Sequence, residues 1–144
     1  MPVIGVNLRS IRSEREDDLG GNLKVNNTPK IKDVEMKEVG SLNKEALSID
    51  FEYLCKYSRE DEDESAAEIS IGGEVLFLTD DPKGIVENWE ENKDLPDEIV
   101  VPTINSIMRK SLTKAVDISE SIQIPPPIRF PKAKKKSDSA RYIG

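Results

Sequence analysis

Residues 104–115 read Ile-Asn-Ser-Ile-Met-Arg-Lys-Ser-Leu-Thr-Lys-Ala, and this stretch decides the fold. Its apolar or small side chains recur at intervals of three and four residues: Ile104, Ile107, Met108, Ser111, Leu112 and Ala115. This spacing predicts one narrow stripe of an α-helix, which needs a flat apolar partner. Residues 122–130 hold three consecutive prolines and cannot continue that helix, so they are expected to lie extended, back across the fold.

The flat partner is an antiparallel sheet predicted upstream of the helix. Apolar and polar side chains alternate without a break over residues 47–57, the strongest strand pattern in the chain. A second alternating stretch, residues 66–79, contains the pair Gly72-Gly73. We expect the two stretches to pair as a hairpin across the acidic residues 60–64, with one face apolar and the other wet.

The first forty residues predict two further strands. Residues 3–11 alternate and then slip in phase, which indicates an edge strand with a bulge near Ser10. Another extended stretch begins at residues 23–25, and the sequence Asn-Asn-Thr-Pro at 26–29 is expected to interrupt it. The alternation resumes and changes phase within residues 31–34, so we expect a bulge or two strand pieces.

A short helix is predicted between the sheet and the main helix. Asp81 followed by Pro82 is typical of a helix N-cap with proline at the first helical position. The helix should run to about Asn92 and use Trp89 as a packing anchor. Together these elements predict an α+β domain over residues 1–130.

Composition excludes several functional classes. The 144 residues include no histidine and a single cysteine, which excludes a histidine-based triad, a cysteine-cluster zinc site and an internal disulfide. No pair of carboxylates is spaced for catalysis and no glycine pattern matches a nucleotide-binding loop, so we expect a protein that is not an enzyme and has no cofactor or metal. Cys55 is interpreted as an inert core residue. No apolar run is long enough to insert into a membrane, and the expected location is the cytoplasm.

The charge is divided between an acidic body and a basic tail. From Ile128 onward there are six basic residues and one acidic residue; the rest of the chain has 15 basic and 27 acidic residues, a net charge of -12. Residues 131–144 are therefore predicted to be a disordered basic tail. It would contact nucleic acid nonspecifically, or an acidic partner, through Lys132, Lys134, Lys135 and Lys136.

The order of motifs over about residues 69–130 resembles the SecB-like export chaperones, a family that acts in protein transport. The matching parts are the glycine-glycine strand segment 72–77, the segment 100–102 that leads through Pro102 into the main helix, and the apolar-proline segment 122–130 that closes on a phenylalanine. The family ends in an acidic or metal-binding tail used with the translocation motor. This chain instead has the basic stretch from Lys132 to Arg141, which argues against coupling to such a motor.

The resemblance implies a four-stranded antiparallel sheet with helices packed on one face. It also implies a homo-oligomer, a dimer or tetramer assembled through sheet edges and long helices. The function that it implies is that of a holdase, which binds unfolded or nascent polypeptides in apolar grooves without nucleotide.

Seven apolar residues are the candidates for contact with a bound polypeptide, with a closed core as the alternative for each: Phe51, Tyr53, Ile107, Met108, Leu112, Ile124 and Phe130. The alternative function is a non-enzymatic structural or adaptor subunit whose basic tail docks on nucleic acid, a ribosome or an acidic protein.

Overall fold

The computed structural model describes residues 3–40, 43–60 and 64–133. Four strands precede two helices: β1 (Val3–Arg15), β2 (Leu23–Val39), β3 (Lys44–Arg59), β4 (Ser65–Phe77), α1 (Pro82–Asn92) and α2 (Asp97–Ser121). The strands form one antiparallel sheet in the order β1-β4-β3-β2. A single apolar core joins one face of this sheet to both helices. The predicted α+β architecture, a four-stranded antiparallel sheet with helices on one face, is confirmed.

The centre of the sheet follows the alternation in the sequence. Every second side chain of β3 is fully or almost fully buried against the helices: Leu47, Ile49, Phe51, Tyr53, Cys55 and Tyr57. β3 pairs with β4 in antiparallel register, with Tyr53 opposite Ile71, so the predicted hairpin is confirmed. Residues 61–63 of its acidic connection lie outside the described residues. Two central strands covered on one face supply most of the core.

The edge strands are longer than their sequence patterns suggest. β1 shows the predicted bulge, a register shift between Leu8 and Ser10, and continues to Arg15. The predicted interruption of β2 at residues 26–29 is wrong, because the strand runs through Pro29 without a break. An edge strand accepts proline where the missing N–H would face away from the sheet. The expected phase change appears as a register shift between Ile31 and Asp33.

The strand order makes one connection cross the end of the sheet. β1 and β2 lie at opposite edges, so residues 16–22 pass over the ends of β4 and β3. Arg59 fastens this crossover by donating to the Asp18 carbonyl at 2.6 Å and to the Glu16 carboxylate at 2.8 Å. Leu19 packs against the core from the same connection. One end of the sheet therefore carries an additional layer of chain.

Helix α1 begins and packs as its sequence predicts. The Asp81 carboxylate accepts a hydrogen bond from the Gly84 amide at 3.1 Å, which caps the helix. Trp89 is buried, and its indole N–H donates to Asp33 of β2 at 3.3 Å. The tryptophan is thus a packing anchor that joins α1 to an edge strand.

Helix α2 is longer than the apolar stripe of residues 104–115 that predicted it. It starts at Asp97 and contains Pro102. Its fully buried side chains recur every fourth residue: Ile99, Thr103, Ile107, Ser111, Ala115 and Ser119. α2 packs mainly on β4 and β1, whereas α1 packs on β2 and β3. Among the described residues, no helix is long and apolar enough to cross a membrane.

Candidate functional site

Helix α2 carries a second apolar row beside the buried one. Four large side chains at intervals of four residues are half-buried, touching the core on one side and open on the other: Val100, Ile104, Met108 and Leu112. Side chains at this interval form one continuous ridge on a helix surface. We call these four residues the α2 ridge. The apolar surface of α2 is therefore wider than the strip of it that the sheet covers.

Other large apolar side chains are exposed around the fold: Ile11 (49%), Met36 (42%), Val101 (56%), Ile128 (40%) and Phe130 (51%). Ile128 and Phe130 follow α2 and line a hollow of about 580 Å³ together with Pro126, Arg129 and Lys132. Single exposed apolar residues are ordinary on protein surfaces, but neighbouring ones beside a hollow indicate a contact surface.

The seven residues predicted to contact polypeptide are divided by the structure between core and surface. Phe51, Tyr53, Ile107 and Ile124 are at most 6% exposed, so a bound chain has no access to them in this conformation. The alternation of β3 marks an apolar face but does not say how much of it the helices cover. Met108 and Leu112 belong to the α2 ridge, and Phe130 is exposed. These three remain candidates.

The apolar-proline segment returns across the sheet, as its composition suggests. We call residues 122–130 the C-terminal strap. Ile124 is its buried anchor, 6% exposed. At the start of the strap, the Arg15 guanidinium donates to the carbonyls of residues 122 and 123 at 3.2 and 2.8 Å. Arg15 also donates to the carbonyls of Glu16 and Asp17, and so it joins the strap to the crossover connection.

Two further side chains, on β3 and β2, hold the strap at the same end of the sheet. The Tyr57 hydroxyl donates to the Pro125 carbonyl at 2.6 Å, and the Asn27 amide donates to the Pro127 carbonyl at 3.2 Å. Tyr53 in turn donates to the Asn27 side-chain oxygen, which orients that amide. Pro127 is buried, whereas its two proline neighbours are exposed. These contacts were not foreseen, because polar side chains on an apolar strand face carry no signal of what they bind.

A groove separates the first half of β1 from α2. Its volume is about 730 Å³, with apolar residues of β1 on one wall and Arg109, Lys110 and Lys114 on the other. Because α2 continues to Ser121, these cations lie outside its last turn, where the helix dipole would stabilise them. They instead give the groove a cationic rim.

The face of the sheet away from the helices holds a buried carboxylate, Glu74, which is 2% exposed. It accepts hydrogen bonds from Ser48 at 2.6 Å and from Asn7 at 3.2 Å. It also forms ion pairs with Lys37 at 2.9 Å and with Arg9 at 2.8 Å. Burial alone would raise the pKa of Glu74. The hydrogen bonds from Ser48, Lys37 and Asn7 and the charge of Arg9 outweigh it and lower the pKa to about 2. A carboxylate held charged in this way is suited to structure rather than to proton transfer.

The only cysteine lies on the covered face of β3. Burial raises the pKa of the Cys55 thiol, and it also raises those of its neighbours Tyr53 and Tyr57. Cys55 is fully buried, so its thiolate is neither favoured nor accessible. Its predicted place in the core is confirmed, and its inertness stays a prediction.

The basic tail is described only at its beginning. Lys132 is exposed at the end of the strap. Lys134, Lys135 and Lys136, predicted with it to contact a partner, lie outside the described residues. Among the described residues, no group of acidic or cysteine side chains is placed to hold a metal ion.

This strand order, with two helices following the sheet and packing on one face, defines a SecB-like fold. The chain is similar to the solved structure of the SecB-like chaperone Rv1957 of Mycobacterium tuberculosis, in complex with a ChAD peptide from the Rv1956 HigA1 antitoxin. The TM-score is 0.55 at 8% sequence identity, and the match covers 92% of this chain and 91% of the other. The resemblance predicted from the sequence is thus confirmed as a likeness of fold. No protein-family model and no curated protein sequence matches the chain.

Proposed function

We propose that this protein is a holdase chaperone, which binds non-native polypeptides without nucleotide and catalyses no reaction. The observation that carries the proposal is the α2 ridge, a row of half-exposed large apolar side chains on a SecB-like fold. The SecB-like neighbour is itself a chaperone solved with a peptide, which supports a polypeptide as the ligand.

The energetics favour apolar side chains as the ligand of the ridge. Covering the exposed part of one methionine or leucine side chain of the ridge, about a third of it or less, contributes about 0.5 kcal/mol. The four residues of the α2 ridge together therefore stabilise binding of an extended apolar chain. Because apolar burial is non-directional, this binding depends little on the sequence of the chain. The proposed contact residues are Met108 and Leu112, with Phe130 and the hollow beside it as a second contact.

The test is suppression of aggregation of several chemically unfolded clients in the absence of ATP. We expect the wild type to suppress aggregation at a small molar excess. The double variant Met108→Ser and Leu112→Ser should need about fivefold more protein, since it loses about 1 kcal/mol of apolar contact. Failure of the wild type against every client at several-fold excess would contradict the proposal.

A matched control is available on the same helix. Asn105 and Arg109 lie on the exposed side of α2, so Asn105→Ser with Arg109→Ser makes two serine substitutions away from the ridge. The control should suppress aggregation like the wild type. Equal losses in both double variants would mean that the effect comes from the helix as a whole.

We also propose that the protein is a homo-oligomer, a dimer or tetramer. β1 and β2 are both edge strands, and within the described residues each has one side that pairs with no other strand. Unpaired edges favour association through further strand pairing. Sedimentation velocity over a range of concentrations tests this, and a monomer at all concentrations would contradict it.

The competing function is that of an adaptor docked through its basic tail. The charge division of the chain, a body of -12 and a basic tail, is what favours it. Deleting residues 132–144 separates the two proposals. A holdase keeps its clients after the deletion, whereas an adaptor loses its acidic or nucleic-acid partner and the salt dependence of that binding.

A further inference from the structure

The three side chains that hold the C-terminal strap stand in line across the sheet. Arg15 of β1 lies opposite Ala67 of β4, which lies opposite Tyr57 of β3, which in turn lies opposite Val25 of β2. Asn27 is the next residue of β2 on the same face. The donors therefore form a track that crosses all four strands at one end of the sheet.

The track binds backbone carbonyls rather than side chains. It holds the carbonyls of residues 122 and 123, in the turn that ends α2, and those of residues 125 and 127, which are spaced by two. An extended chain presents every second carbonyl on the same side, so the spacing of Tyr57 and Asn27 fits any extended polypeptide. Recognition of this kind imposes little on the sequence of the segment that is bound.

The strap itself is held on this track by a small number of contacts. Residues 125–127 are prolines, which have no N–H to donate to a neighbouring strand. Beyond the carbonyl contacts, its anchors are the buried side chains Ile124 and Pro127, with Ile122 partly buried against the core. The rest of its apolar surface, at Ile128 and Phe130, is exposed.

We propose that the strap occupies a polypeptide-binding track of this chain as an internal ligand, and that its displacement lets an extended apolar segment of a client bind there. The inference rests on the proposed holdase function and adds its regulation. A client must compete with the strap, so its apparent affinity is lowered by the fraction of molecules in which the strap is docked.

The test uses a fluorescein-labelled peptide of residues 121–132 as the probe, titrated into the full chain and followed by anisotropy. Ile124→Ser weakens the strap of the protein and leaves the donors in place, so it should bind the probe about tenfold more tightly than the wild type. Adding Tyr57→Phe removes one donor and should weaken that binding about fivefold. The control Glu120→Ser changes an exposed residue in the last turn of α2, outside the strap and the hollow, and should bind like the wild type.

A second measurement does not depend on the folding of Ile124→Ser. A fluorophore on Pro131→Cys, exposed directly after the strap and outside the hollow, reports the strap, because Cys55 is buried and does not compete for the label. Its anisotropy should fall when an unfolded client binds to the otherwise wild-type chain. An unchanged signal with the client bound would overturn the strap proposal and leave the holdase function standing.

The outcomes separate the two proposals. A folded Ile124→Ser variant that binds the probe no better than the wild type, in a protein that suppresses aggregation, overturns the track alone. Tight probe binding by Ile124→Ser, without suppression of any client by either protein, supports the track and overturns the holdase function.

Discussion

The Lys37 ammonium of β2 lies 2.9 Å from the Glu74 carboxylate of β4, and so it reaches across β3 to a strand that is not its neighbour. Arg9 of β1 reaches the other oxygen of the same carboxylate from the opposite side, at 2.8 Å. One buried charge thereby joins both edge strands to the centre of the sheet. A slip of either edge strand by one residue would point its cation to the other face.

Glu74→Gln should destabilise the protein by about 2–3 kcal/mol at pH 7. The neutral amide loses the charged interactions that lower the pKa of Glu74. The folded-state pKa is about 2, below the ordinary value of 4.5. The stabilisation is therefore fully present above pH 4.5 and is lost as the pH falls towards 2.

Urea unfolding of both proteins between pH 7 and pH 2 checks this, with the difference expected to shrink below pH 4.5. A constant difference at every pH would contradict it. Asp50→Asn is the control, since Asp50 makes a longer, 3.4 Å contact with the same arginine and is more exposed.

Gly73→Ala should destabilise the protein by about 2–4 kcal/mol, because a methyl group there has no room. The added carbon would overlap the Asn7 carbonyl oxygen and lie 3.0 Å from the Leu8 α-carbon, both backbone atoms of β1. The β1–β4 pairing must shift to admit it. Gly5→Ala is the matched control in the same pair of strands, since its added carbon meets nothing within 4 Å. Thermal unfolding compares the two, and equal melting temperatures would refute the expectation.

Thr103→Val and Ser111→Ala should each leave the protein as stable or stabilise it by up to about 1 kcal/mol. Both hydroxyls are buried on α2 and make no hydrogen bond to the described part of the chain. Removing an unpaired buried hydroxyl takes away a cost of desolvation. Chemical denaturation measures the effect, and a loss of 1 kcal/mol or more from either change would show that the hydroxyl has a partner in the folded protein.

Cys55 should resist thiol reagents in the native protein and react fully in denaturant. Its side chain is fully buried and its pKa is raised, so attack requires unfolding. Labelling with a chromogenic disulfide at pH 8, with and without urea, measures both states. Rapid native labelling would contradict the packing of β3 under the helices.

Local signals were sufficient for the order and type of the elements. The unbroken alternation over residues 47–57 identified β3, and the Asp81-Pro82 pair identified the start of α1. Pro29 misled the prediction of β2, because a sequence does not show whether a strand lies at an edge. The bulges near Ser10 and within residues 31–34 were visible as phase slips, since a side-chain period of two leaves no other way to insert a residue.

The candidate site could be predicted only in part. The stripe of α2 contains both the buried row and the ridge, and periodicity does not separate them: Ile107 is in the core and Met108 is half-open. The separation depends on how the helix axis is tilted over the sheet. The strap contacts were beyond reach, because Tyr57 and Asn27 meet residues 68 and 100 positions away.

By itself, then, the sequence determined the elements, their order, the apolar face of the sheet and the absence of histidine chemistry, because each depends on short-range periodicity or composition. Tertiary structure alone decided which apolar residues stay open, which strands are edges and where the strap is held. Those properties arise from contacts between segments far apart in the chain, for which neighbouring residues carry no signal.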